Sequence, residues 1–268
     1  MYGIAIELSK NIFMNRSLLL ILTLTFLLGN HLNAFEINKF SKTQNTSKNI
    51  NPITDTISHD SWDLFLKKYV DNKGLVDYKS IKSEVAALNI YLTKLSKNTP
   101  DDSWSKDKKM AYWINTYNAF TIKLIIDYYP INSINDIKKP WDIKFIELGP
   151  NTYSLNDIEH NILRKMGDPR IHFGIVCASV SCPKLQNEAF VASKLNNQLN
   201  SATKEFLADS DRNNLSEKTI EISKIFKWFS KDFKKDGTLI DFLNNYSDVI
   251  ILPNAKKTFK DYNWSLNE

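Results

Sequence analysis

The sequence predicts an α+β fold in which several helices pack around a small, mostly antiparallel sheet. Two observations predict it. Long stretches repeat apolar residues at helical spacing, while the strand-like runs are few and short. Hydrophobic residues make up 43% of the 268 and aromatics 12%, enough for a sizeable core. The charged fraction of 24% is ordinary for a soluble protein.

The elements follow in order. "MNRSLLLILTLTFLLGNHLNA" begins at Met14 with Arg16 as the positive flank. An apolar run from Leu18 to Leu28 leads to a small-residue site near Ala34. That shape is a signal peptide over residues 1–34, and the rival reading is an uncleaved anchor. The expectation is export to the periplasm or secretion, with membrane contact only through this segment. Residues 35–58 are rich in Asn, Ser, Thr and Lys and read as a flexible linker. Residues 59–268 read as a single domain.

"SWDLFLKKYV" has helical spacing with Ser61 as its cap, and "DNKGLVDY" is a turn with a short extended piece. "SEVAALNIYLTKLSK" is a second amphipathic helix. "DDSWSKDKKMAYWINTYNAFTIKLIIDYYP" carries the longest helical signal, closed by Pro130. "KFIELGPNTYSL" reads as a hairpin around Gly149-Pro150. "SLNDIEHNILR" is a short helix with Ser154 and Asp157 in capping-box spacing. "RIHFGIVC" is the best strand, and "NEAFVASKLNNQLNSATKEFLAD" is a helix. "TIEISKIF" runs strand to helix, and "TLIDFLNNYS" is the last helix.

Several function classes are disfavoured. The net charge is +5, from 35 basic and 30 acidic residues, but the lysines are interspersed with acids and no arginine cluster forms. Nucleic acid is not an expected partner. The chain has no GxGxxG, Walker, HExxH or CxxC pattern, and no cofactor is implied.

Polar residues stand where the helical wheel expects apolar ones. On the long helix Thr116, Lys123 and Asp127 share one arc, which reads as the wet side. Asn115 and Asn118 fall among the isoleucines opposite. Buried amides either bond backbone and fix packing, or orient a catalytic group or an oxyanion. On the short helix Glu159 lies inside the apolar face and His160 at its border. A core-facing carboxylate needs a partner, and Arg164 and Arg170 are the nearest candidates in sequence. Neighbours about 100° apart do not face each other, so a carboxylate–histidine pair here would be Glu159 with His172. A regular strand puts His172 and Cys177 on opposite faces, unless a bulge at "ASVSCP" re-aims the thiol.

"AYWINTYNAFTIKL", "LNDIEHNILR" and "DPRIHFGIVCASVSCPKL" resemble the signature segments of domain-of-unknown-function family 547, DUF547. The resemblance extends from about Ser61 to Asp248. It carries over Asn115, Asn118, Glu159, His160, His172 and Cys177, with the Ser179 and Pro183 that follow. The position of Cys182 is less fixed in the family's pattern, which weakens a mandatory disulfide. The resemblance implies a site and not a reaction.

Four readings of that site stand side by side. In a thiol enzyme Cys177 is the nucleophile, His172 or His160 the base and Glu159 the orienting carboxylate, with Asn115 or Asn118 holding the base or the oxyanion. That set resembles a papain-like or transglutaminase-like site acting on a peptide, amide or cell-wall-type substrate. In a binding module the same pocket, with Asn115, Asn118, Ser179 and Cys182, holds a peptide or glycan. In a redox or structural reading Cys177 and Cys182 form a disulfide, which needs a Cα separation below about 7 Å. In a metal reading His160, His172, Cys177 and Cys182 are zinc ligands, although their spacing matches no ligand pattern. "SKIFKWFSKDFKK" reads as a solvated helix face, and Trp104, Trp113, Trp141 and Trp228 as core or interface anchors. The sequence leaves the oligomeric state open.

Overall fold

The computed structural model describes residues 57–268, which are organised around one enclosed helix, Lys106–Tyr128. The expected signal segment and nearly all of the expected linker lie outside the described residues. No described helix is long and apolar enough to cross a membrane.

Helix α1 (Asp60–Tyr69) buries Trp62, Phe65, Leu66 and Tyr69, a spacing that makes one apolar stripe. Asp60 and Asp63 in its first turn and Lys67 and Lys68 in its last complement the helix dipole. It opens before the expected Ser61 cap. His59 holds the cap position, and Ser58 Oγ accepts from the Asp60 amide at 3.1 Å. The second expected helix is present as α3 (Ala86–Lys97), and a short unexpected helix, α2 (Tyr78–Ser83), precedes it.

Helix α4 (Lys106–Tyr128) starts at Ser105, whose side chain accepts from the Lys108 amide, and ends before a cis Tyr129–Pro130 bond. Every residue from Met110 to Ile122 is buried. Thr116, expected on a wet arc, is therefore fully enclosed, and its hydroxyl donates to the Tyr112 carbonyl at 2.7 Å. The wheel failed because α2, α3 and the 157–163 segment all pack against this helix. The expected hairpin is present as β1 (Ile146–Leu148) and β2 (Asn151–Tyr153), turning through Gly149 at φ 56°.

The segment read as the best strand is not a strand. Pro169–Phe173 is a 3-10 turn, with Asp168 accepting from the Arg170 amide and Pro169 at its first position. An Asp-Pro start favours a helical turn. Beyond it, the Asn118 side chain takes the place of a strand partner. Its amide donates to the Gly174 carbonyl at 2.8 Å and its oxygen accepts from the Val176 amide at 3.0 Å.

Helix α5 (Leu195–Ala208) begins later than expected, because Asn115 holds the Phe190 backbone in an irregular path. Strands β3 (Asn214–Leu215), β4 (Thr219–Ile222) and β5 (Lys256–Phe259) form a second sheet, antiparallel between β3 and β4 and parallel between β4 and β5. The α+β class therefore stands, with two small sheets in place of one. Short helices α6 (Ile225–Trp228) and α7 (Leu239–Asn244) complete the fold. One apolar cluster surrounds α4. A second gathers Phe173, Phe206, Phe226, Phe233 and Phe242.

Candidate functional site

A cleft of about 230 Å³ opens where these two clusters meet. It collects Glu159, His160, His172, Cys177 and Cys182 on walls that include Tyr117, Trp141, Trp228, Phe229, Tyr262 and Trp264.

Glu159 and His160 project from Asp157–Leu163, which is wound as a π-helix. The expected Ser154–Asp157 capping pair opens it, with Ser154 Oγ accepting from the Asp157 amide at 3.1 Å. A π-turn is a rare winding that recurs at functional sites. Its wider turn brings His160 Nδ1 to 4.0 Å from Glu159 Oε1, beyond hydrogen-bond reach. Glu159 is 7% exposed, and neither expected arginine pairs with it. Its one hydrogen bond among the described residues comes from the Tyr117 hydroxyl to Oε2 at 3.3 Å. Every solvent-shielded side-chain oxygen and nitrogen among the described residues has a partner, so the unbonded Oε1 opens on the cleft. Burial pushes its carboxyl up to about 7.

Arg164 donates from Nη1 to His160 Nδ1 at 3.2 Å. Burial and that guanidinium hold the His160 ring below its ordinary value.

The carboxylate that orients His172 is Asp232, not Glu159. His172 Nε2 lies 2.8 Å from Asp232 Oδ2, and the ring stacks on Phe229 with centroids 4.0 Å apart. Arg164 grips the same carboxylate through Nε at 2.7 Å and Nη2 at 2.9 Å. Burial alone would raise Asp232, but the bonds from His172 and Arg164 win and hold it well below the usual carboxylate range. Burial depresses His172 despite that partner. A neutral His172 donating from Nε2 keeps its basic lone pair on Nδ1, which has no partner among the described residues and so reaches the cleft.

Cys177 and Cys182 are joined by a disulfide, with Cα atoms 6.1 Å apart. Cys177 is half-buried and Cys182 is 3% exposed. The Cys177 amide donates to Cys182 Sγ at 2.8 Å. Ser179 Oγ and the Tyr262 hydroxyl lie 3.2 and 3.3 Å from Cys177 Sγ. The loop turns through Ala178, a buried residue at φ 55°. Such a conformation costs a non-glycine residue about 1–3 kcal/mol and persists only where its surroundings impose it. Here Arg212 donates to the Cys182 and Val180 carbonyls at 2.7 and 2.6 Å, and the Val180 amide donates to the Ser265 carbonyl.

Asn115 and Asn118 are buried as expected, but neither lines the cleft. Each spends its amide on backbone: Asn115 on both polar groups of Phe190, and Asn118 on Gly174 and Val176. They position the cysteine segment. The four proposed zinc ligands do not assemble either. Among the described residues no group of three or more His, Cys, Asp or Glu is arranged to hold a metal ion.

Sequence reasoning missed Asp232, Phe229, Tyr262 and Trp264. Trp141 and Trp228 proved to be cleft walls. In "SKIFKWFSKDFKK" Lys227, Lys231, Lys234 and Lys235 are exposed and Lys224 is half-buried, but only Ile225–Trp228 is helical, and the single acid is the anchor of His172.

Residues 102–207 match the family described as "Protein of unknown function, DUF547". That span holds Asn115, Asn118, Glu159, His160, His172, Cys177, Ser179 and Cys182, and it ends before Asp232. It is shorter than the stretch from about Ser61 to Asp248 that resembles the family. No curated protein and no solved structure matches the chain.

Proposed function

We propose that this DUF547 domain-containing chain is a thiol-dependent acyl-transfer enzyme, hydrolysing an amide in a peptide or cell-wall peptide. The form described here is then its oxidised, resting state. The observation that carries the reading is a Cys177 sulfur sharing one cleft with a His172 that Asp232 anchors. Nucleophile, base and orienting carboxylate are the elements that nucleophilic catalysis requires.

Activation takes a thiol reductant. Its thiolate attacks Cys177 Sγ, the more accessible sulfur. The S–S bond breaks, and Cys182 leaves as a thiolate already facing the Cys177 amide at 2.8 Å. A second reductant thiol removes the first as a reductant disulfide, leaving two protein thiols. Cys177 then gives its proton to His172 Nδ1 and attacks the carbonyl carbon. The C–N bond breaks as the leaving amine takes that proton. Water, deprotonated by the same nitrogen, cleaves the thioester and restores the thiol. Ser179 Oγ and the Tyr262 hydroxyl, 3.2 and 3.3 Å from the Cys177 sulfur, are the donors nearest it for the developing oxyanion. The proposal includes export, because an apolar N-terminal run and a formed disulfide both suit an oxidising compartment.

A second reading has one observation in its favour: the bonded sulfurs and the latched loop around them would serve equally as a structural staple. The two readings separate on alkylation of the reduced protein by iodoacetamide across pH 5 to 9, with adducts located by mass. The enzyme reading expects Cys177 to label with a midpoint well below the ordinary thiol value of about 8.5. Labelling at the ordinary value, or none, leaves the staple.

A further inference from the structure

We infer that the cleft takes a substrate bearing an ammonium group, with Trp141, Trp228, Tyr262 and Trp264 as its walls and Glu159 as its counter-charge. The inference names the substrate class of the proposed acyl-transfer site and rests on that reading.

The four rings come from three separate stretches of chain and converge on one place. Centroids stand 4.6 Å apart for Tyr262–Trp264, 4.8 Å for Trp228–Tyr262, and 5.8 Å for both Trp228–Trp264 and Trp141–Trp264. Trp228 keeps 46% of its surface exposed, which core packing does not require of so large a ring. Aromatic faces attract a cation within about 6 Å of a centroid. Alone they would hold any apolar group. Glu159 makes the difference.

Its Oε1 is unbonded, opens on the cleft and is buried among apolar walls. The lining residues include no lysine or arginine to neutralise it. Arg164 stands nearby, but its charge is already engaged by Asp232 at 2.7 and 2.9 Å. An anion is repelled here, and a neutral group leaves the carboxylate unpaired. An ammonium pairs with Glu159 while its methylenes and charge lie against the rings. Burial near pH 7 leaves the free carboxyl close to half protonated, so a bound cation draws out a proton.

The other titratable groups that face Glu159 are Tyr117, Tyr262, His160 and His172, with the Arg164–Asp232 pair beside them. Tyr117 and Tyr262 stay protonated, with Tyr262 pushed up to about 12 by burial. His160 and His172 are held below their ordinary values, and the Arg164–Asp232 pair stays charged.

The test is calorimetric binding to the oxidised full chain of Nα-acetyl-lysine amide and of Nα-acetyl-norleucine amide, which keeps the methylenes and lacks the ammonium. At pH 8 the lysine probe is expected to bind roughly tenfold tighter or more, as an ion pair within an aromatic cage allows. Its affinity should fall about tenfold by pH 6, as Glu159 passes from mostly ionised to mostly protonated. Glu159→Gln should erase both the preference and the pH dependence. Trp228→Ala, at an exposed ring whose loss leaves the core intact, should weaken the lysine probe by about three- to tenfold. Equal or tighter binding of norleucine amide, or a preference that survives Glu159→Gln in a folded variant, overturns the inference. Because the disulfide stays closed throughout, that failure leaves the thiol reading to its own test.

Discussion

Replacing Asp232 with Asn should slow the chemistry of Cys177 without touching the thiol. In the native site His172 Nε2 donates to Asp232 Oδ2 at 2.8 Å, which leaves Nδ1 as the base. An imidazolium formed on proton transfer gains a charged hydrogen bond worth about 1.5–3 kcal/mol. Asn offers no charge, and its amide can face Nε2 and force the proton onto Nδ1. The loss corresponds to roughly a 10- to 150-fold smaller population of the thiolate–imidazolium pair. The assay is the iodoacetamide rate of Cys177 against pH, measured in a Cys182→Ser background so that the disulfide cannot reclose. The Asp232→Asn rate below pH 8 should drop by at least about tenfold, with the profile moving toward the ordinary thiol value of about 8.5. The substitution also frees Arg164, a partly buried partner, so a control is needed. Arg164→Met removes the ion pair but keeps the His172 bond, and it should keep fast labelling. A full rate in Asp232→Asn, or equal losses in both variants, would refute the reasoning.

Glu159 makes stability depend on pH in the direction opposite to a salt-bridged acid. Its folded value near 7 lies above the ordinary 4.5, so the folded state holds the proton longer and stability falls as pH rises between those values. Glu159→Gln should remove a loss of about 3 kcal/mol between pH 4.5 and 8, read by urea unfolding of the oxidised protein. Asp232 works the other way: held low, it contributes stability above pH 4 that is lost on further acidification. Asn118→Ala strands the Gly174 carbonyl and the Val176 amide and should cost about 2–4 kcal/mol in the same assay. Cys182→Ser opens a loop with a sequence separation of 5 and should cost about 2 kcal/mol or less. With a substoichiometric thiol reductant, the first mixed disulfide should form on Cys177, because Cys182 is 3% exposed and already faces an amide donor.

Local patterns carried much of the fold. The apolar spacing of α4, the Gly149 turn and the Ser154–Asp157 pair each act within a few residues, and each is found where the sequence puts it. The misread segment shows where that reach ends. "RIHFGIVC" alternates like a strand, but an Asp-Pro start winds its first half, and Asn118, 58 residues away, takes the backbone groups a neighbouring strand would take. Thr116 failed for a related reason, since a helix packed on all sides has no wet arc to find. Most of the candidate site was legible because polar groups on apolar faces are costly and rare. Asp232 was hidden by averaging over a basic stretch. Its one readable signal is a lone acid beside Phe233 and three residues after Phe229, where "SKIFKWFSKDFKK" is otherwise lysine-charged. The tail residues Tyr262 and Trp264 carried no pattern that could tie them to a sulfur more than 80 residues away.

Acylation of the reduced protein tests the central claim most directly. Reduced protein is mixed with p-nitrophenyl acetate, the nitrophenolate release is followed, and the adduct is located by mass. The account predicts a burst of about one equivalent with the acetyl group on Cys177, and no burst from the oxidised protein or from reduced His172→Gln. An equal burst from His172→Gln, or an adduct away from Cys177, would show that the sulfur and the anchored histidine do not work together.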